Sequence, residues 1–197
     1  MTDVGELRER VAELRAALRS AGLPLRVELG AELGHTMAGR LSQRELEAVA
    51  LGPRGARWLL LETPFAGVDE DFRAAVGELR ERGFGLVLAH PERNAGGVDA
   101  ILPELARGAL AQVNALSLSG GHGPAAERAA RRLVAGGLAA LLASDAHSRR
   151  RPPALGAGVA AARALGLAPS AAEALVSTRP ALLLERGVPA PPRAVAV

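Results

Sequence analysis

Five near-continuous apolar runs are spaced along the chain, with amphipathic stretches between them. The runs are LRVELGAEL at 25–33, RWLLLETPF at 57–65, FGLVLAHPE at 84–92, LAQVNALSL at 110–118 and LAALLASDAH at 138–147. Runs with little polar alternation predict parallel strands covered on both faces. Helical periodicity predicts helices at 4–21, 41–50, 69–82, 98–107, 124–136, 154–165 and 170–177. The first carries Val4, Leu7, Val11, Leu14 and Leu18 on one stripe, the pattern of a helix laid over a barrel rather than of a two-heptad coiled coil. Asp69 and Ser170 are placed to cap helix starts, and Gly83 and Gly136 to stop helices. Residues 1–188 read as a single domain without repeat or linker, and 189–197, rich in Pro, as a flexible tail.

Repeated βα units give an α/β fold, either an open sheet or a closed barrel, with functional groups at the C-terminal strand ends. Polar residues gather at those ends: Glu32, Glu62, His90 with Glu92 and Arg93, Asn114, and Asp145 with His147. The opposite ends carry nothing comparable.

Composition narrows the chemistry. Hydrophobic residues make up 49% of the 197 positions. Even so, no uncharged apolar run reaches the roughly 18 residues of a membrane span. The start, MTDVGELRER, is too polar for a secretory signal, so a soluble, cytoplasmic protein without membrane insertion is expected. The absence of cysteine excludes disulfides, thiolate metal sites and cysteine nucleophiles. The pI near 11 is not a nucleic-acid signal: net charge is only +3, and all 24 basic residues are Arg, which never releases its proton in the working range. At 2% aromatic residues there is no platform for base stacking, so no nucleic-acid partner is expected.

Glu32, His90, Asp145 and His147 together offer two imidazoles and two carboxylates. That set suits Mn, Fe or Zn better than Ca or Mg, and a bridging carboxylate can build a site for displacement at phosphorus. Asp145 and His147 are two apart, which on a strand gives them the same face. Arg93, three residues after His90, offers a fork for phosphate, and Arg149, Arg150 and Arg151 stand in a similar relation to His147. Each residue also has a structural reading. A strand-end His is often only a hydrogen-bonded fixture, Asp145 a turn or cap, and the arginines a solvated loop. Glu62, before Thr63-Pro64, ends its strand or orients a ligand. His35 and His122 lie in Gly-rich loops and rank below the others as ligands.

The segments GAEL, LLLETPF, VLAHPERN, AQVNALSLSGGHG, LLASDAHS and STRPALLLERG occur in this order over nearly the whole chain. Their pattern resembles the bacterial manganese-dependent tyrosine phosphatases of capsule and exopolysaccharide operons, members of the polymerase-and-histidinol-phosphatase (PHP) superfamily. The resemblance implies a distorted (β/α)7 barrel with a cluster of two or three metal ions, usually Mn2+. It implies hydrolysis of phosphotyrosine on a tyrosine kinase that controls polysaccharide export. By motif, Glu32 is implied as a bridging ligand, His90, Asp145 and His147 as further ligands, and Arg93 as the phosphate-binding residue. Asp145 and His147 belong with Arg93 to the catalytic set so implied. A second substrate arginine falls among Arg149, Arg150 and Arg151.

The chain departs from the family pattern in lacking the strand with H-x-H and the strand ending in Thr-Pro-His. An incomplete PHP-type barrel is therefore expected, with about five βα units and the first two strands missing. Three explanations stand open: a start placed too far downstream, a decayed relative, or completion by a partner or a second copy in a homo-oligomer. Intact motifs favour the first. The leading expectation is metal-dependent phosphomonoester hydrolysis. Its rivals are a phosphotyrosine-binding scaffold with impaired catalysis and a PHP enzyme acting on another substrate, such as histidinol phosphate.

Overall fold

The computed structural model describes residues 4–148 and 151–188. Five strands, β1 (Glu32–Gly34), β2 (Trp58–Glu62), β3 (Gly85–Ala89), β4 (Leu110–Asn114) and β5 (Ala139–Ala143), form one parallel sheet in sequential order. The α/β expectation therefore holds. Helices α1 (Val4–Ser20) and α2 (Gln43–Val49) flank β1. Helices α3 (Glu70–Glu81), α4 (Gly97–Ala106) and α5 (Pro124–Ala135) cross between the later strands, and α6 (Leu155–Ala164), α7 (Pro169–Ala174) and α8 (Thr178–Arg186) follow β5. Parallel neighbours need such crossovers.

Alternation along the strands feeds two cores. Leu59, Leu61, Leu86, Leu88 and Leu142 point to the helices and pack with Phe72, Val76, Leu79, Ile101 and Leu133. Trp58, Val87 and Leu141 point the other way, and Val188 and Leu183 cover them. The Trp58 indole donates to Leu183 O at 3.0 Å, and Val188 N to Ala56 O at 3.0 Å. Gly85 is glycine for a reason of space: a Cβ there would lie 2.0 Å from Val188 O.

Local signals explain the helix ends. Asp69 accepts from Phe72 N at 2.9 Å and caps α3 as expected, and Gly83 follows the helix at φ +90°. Ser42 and Glu45 form a reciprocal capping box on α2. Ser170 is not a cap: Ala168 holds that position, with Pro169 in the first turn. The expected helix 170–177 runs instead from Pro169 to Ala174, and a further helix that the periodicity does not predict follows it. The chain leaves α7 at Ala174 and starts α8 at Thr178. Pro180 lies in the first turn of α8, where its missing N–H costs nothing.

The strands are shorter than the apolar runs. Of 25–33 only Glu32 and Leu33 are paired, because the pairing of Glu32 with Leu60 sets Leu25–Leu29 beside the turn that precedes β2. Arg15 instead holds Val27 O, at 2.8 and 2.5 Å, and Leu25 is 67% exposed. The first helix does not cover the sheet along its length. Val4 and Leu7 pack on the core, no residue of α1 is fully buried, and Leu14 is exposed.

Candidate metal centre

The polar residues that follow β3 and β5 are not strand residues. His90 has left-handed φ +34° and opens a short 3-10 turn, Pro91–Arg93. Asp145 has φ +49° and lies beyond β5. Positive φ is unusual outside glycine, and two such residues at two strand ends mark places where the chain turns sharply to present a side chain. The period-two argument for Asp145 and His147 therefore does not apply: a loop contact joins them, with His147 Nδ1 3.1 Å from Asp145 Oδ1 and 2.9 Å from Asp145 O.

Glu32, Glu62 and His90 bring ligand atoms within 4.8 Å of one another. Glu62 comes from the last position of β2. Glu32 opens β1 one pleat lower, level with Leu60, so it is not at its strand's C-terminal end. His90 Nε2 lies 3.0 Å from Glu32 Oε1, while the buried Nδ1 has no partner. Two carboxylates and one imidazole with an unpaired buried nitrogen fit a divalent first-row ion. Burial pulls the His90 pKa down, but the hydrogen bond and charge of Glu32 outweigh it and the net direction is up.

Asp145 and His147 line the same cavity of about 320 Å³ as these three, together with Phe65, Arg93 and Arg151. They are not in the three-residue cluster. The Asp145 carboxylate instead faces Arg93 Nη1 at 3.6 Å and Arg151 Nη2 at 3.5 Å, and accepts from Asn114 Nδ2 at 3.1 Å. Arg93 is thus held at the mouth of the cavity, 4.4 Å above the Phe65 ring, and that ring stacks on the His90 imidazole at 5.4 Å. Arg149 and Arg150 lie outside the described residues.

Glu92 supports this loop from beneath. Its Oε1 accepts from Asn114 N at 3.0 Å and Ser117 Oγ at 2.7 Å, and burial pushes its pKa up. Ser117 Oγ also lies 2.9 Å from His122 Nδ1. Burial, and after it the charge of Arg93, lowers the His122 pKa. His35 packs edge-on against Phe72, a core role.

The sequence underrated Glu62 and passed over Phe65. Glu62 had a visible signal, a carboxylate closing an apolar run. Phe65 had a fainter one, an aromatic directly after a strand in a chain that holds three Phe and one Trp.

Comparison with known proteins bears on this geometry. The family described as capsular polysaccharide synthesis, CpsB/CapC, matches residues 1–184. CapC of Staphylococcus aureus, named as a candidate tyrosine-protein phosphatase, is 27% identical over 156 residues, covering 77% of this chain and 60% of that one. The tyrosine-protein phosphatase YwqE of Bacillus subtilis (strain 168) is 29% identical over 145 residues, covering 72% and 56%. The chain thus spans about 60% and 56% of the lengths of these two relatives. A crystal structure from work on YwqE of Bacillus subtilis and CpsB of Streptococcus pneumoniae, described as metal-dependent tyrosine phosphatases, superposes with TM-score 0.75 at 26% identity. The match covers 98% of this chain and 79% of that one.

Proposed function

The chain belongs to the capsular polysaccharide synthesis family CpsB/CapC, and on that premise we propose that it is a metal-dependent phosphomonoester hydrolase acting on phosphotyrosine in proteins. The observation that carries the reading is the convergence of Glu32, Glu62 and His90 in one cavity with Arg93, Asp145, His147 and Arg151. Glu32, Glu62 and His90 would hold a divalent ion, manganese by family, with Asp145 and His147 as the next donors along the wall. Such an ion polarises a phosphoryl oxygen and lowers the pKa of water.

The protein's own groups do the rest. Arg93 receives the phosphate through its guanidinium fork and offsets charge on the equatorial oxygens. Asp145 and Phe65 fix that guanidinium, so little is spent on ordering it when substrate arrives. Arg151 is the second cation at the phosphate, with Arg149 and Arg150 as its neighbours in sequence. Asp145 holds His147 through Nδ1 and thereby leaves Nε2 as the atom turned to the reaction. The substrate protein in this reading is a tyrosine kinase of polysaccharide export. The sheet is read as five units of a PHP-type distorted (β/α)7 barrel in a single domain. Its sequential strand order supports this, since crossovers of one hand then stay on one face. A second copy is a candidate cover for the sheet's open edge.

The test is phosphate release from a phosphotyrosine peptide with manganese and with chelator. Turnover that needs the ion and disappears in Glu62→Ala is expected. No turnover with any divalent ion would overturn the enzyme reading. A second reading has its own observation: Asp145 is engaged by two arginines rather than by the three-residue cluster. A phosphotyrosine-binding protein without catalysis would then bind the peptide equally well in chelator.

A further inference from the structure

Beside the metal cavity lies a second cavity, of about 380 Å³, that shares Phe65 and Arg93 with it. Its far wall is Ala125, Ala126 and Ala129 of α5, and His122 lies between. Phe65 is 46% exposed, an unusual position for one of the few aromatic residues here. Its ring already carries the Arg93 guanidinium at 4.4 Å. Three alanines line the same cavity, and larger side chains there would take up its space.

Away from Arg93, His122 offers a second anion no donor. Ser117 gives its one hydroxyl proton to Glu92 Oε1, so His122 must keep its own proton on Nδ1 to donate to Ser117 Oγ. That leaves His122 Nε2 a lone-pair acceptor, buried and without a partner, and Glu92 Oε2 is likewise unpaired. His122 therefore offers no N–H to a carboxylate or phosphate in this cavity.

We propose that this cavity is an aryl-binding subsite: the aromatic ring of the substrate lies between Phe65 and the alanine face of α5, with its phosphate at Arg93. The inference rests on the phosphoester reading for the phosphate's place, and it assigns Phe65 and Ala125 as the residues that favour aryl over alkyl esters. Burying about 55 Å² of ring surface at about 25 cal per mol per Å² corresponds to roughly tenfold in affinity.

The experiment is calorimetric binding of phenylphosphonate and methylphosphonate, which are not hydrolysed, to the manganese-loaded chain. Phenylphosphonate should bind about tenfold tighter. Ala125→Leu fills the cavity from an exposed position, and Phe65→Ala removes the platform. In both, the preference should fall to near one; methylphosphonate affinity should stay the same in Ala125→Leu and weaken in Phe65→Ala, where Arg93 loses the ring that holds it. Equal affinities in the wild type overturn the proposal. So does an equal loss of both ligands in the two variants, which would make Phe65 only a prop for Arg93. An inactive chain that keeps the preference would sink the hydrolase reading and leave the subsite standing; turnover without preference would do the reverse.

Discussion

The loops after β3 and β5 perform the same manoeuvre with opposite support. Each leaves a parallel strand through a non-glycine residue in the left-handed region, His90 and Asp145, and each carries polar side chains into one cavity. The first loop is buried: His90, Glu92 and Asn94 are at most 5% exposed. Asn94 ties it down twice, donating to Pro64 O and accepting from Gly96 N, and Ala95 N donates to Phe65 O. In the second loop His147 is largely exposed, and the Asp145 side chain is held by guanidinium groups, one amide and His147. Backbone and buried hydrogen bonds hold a shape whatever occupies the cavity, whereas guanidinium groups paired with a carboxylate can turn to an anion that enters it. The cavity therefore has a fixed wall and an adjustable one.

The largest expected effect lies on the fixed wall. Replacing His90 or Glu62 by Ala should remove ion binding and cut manganese-dependent phosphate release by at least about a hundredfold, since even residues that only orient a ligand cost 10–100-fold. Metal content after dialysis checks the binding half separately. Next comes Glu92. Glu92→Ala orphans the buried Asn114 amide and the Ser117 hydroxyl, and each orphaned group costs about 1–3 kcal/mol in denaturant unfolding. Glu92→Gln keeps the acceptor and should cost less.

The pH dependence of that pair sharpens the point. Burial raises the Glu92 pKa, so the folded state binds the proton more tightly than the unfolded one. Wild-type stability should then decline as pH rises from the ordinary glutamate value through the raised one, and Glu92→Gln should escape that decline. Unfolding midpoints that stay parallel across this window would remove Glu92 as a buried charge.

On the adjustable wall, Asp145→Asn keeps a residue tolerant of positive φ and deletes only charge. KM for a phosphate ester should rise about tenfold, the worth of one charge-assisted hydrogen bond, while stability falls less than in Glu92→Ala, because an amide can still accept from Asn114 Nδ2. A large loss of stability instead would erase the contrast between the loops. The smallest effect calibrates it. Asp99 and Arg132 form a fully exposed bidentate pair, and the Arg132 hydrogen bond lowers the Asp99 pKa. Asp99→Asn should lower the melting temperature slightly above the ordinary aspartate pKa. The difference should vanish in acid, as pH falls through the lowered value, and in high salt.

The same contrast sets what the sequence made legible. The strands β2 to β5 were readable because cores on both faces demand apolar residues at every position. Two of their ends were not, because His90 and Asp145 leave the ladder through turns that hydrophobicity does not encode. β1 was overread for a related reason: Leu25 and Val27 look like strand, but β2 pairs only from Glu32 onward. In the site, His90, Arg93 and Asp145 stood out as charges closing apolar runs. Glu62 was legible as a strand-end acid but not as a neighbour of Glu32, since that meeting depends on register. Phe65 was hidden because its role comes from what stacks on it.

The contact of Val188 with Gly85 and Trp58 has a consequence for synthesis. Sequential strand order lets each βα unit dock on the one before it as the chain emerges from the ribosome. The helix-covered face can be sealed in this vectorial way. The opposite face cannot, because Trp58 and Val87 wait for Leu183 and Val188, more than a hundred residues behind Trp58. A nascent chain therefore exposes a greasy half-sheet until synthesis has passed Val188, and this is the interval in which a holding chaperone would find its binding surface.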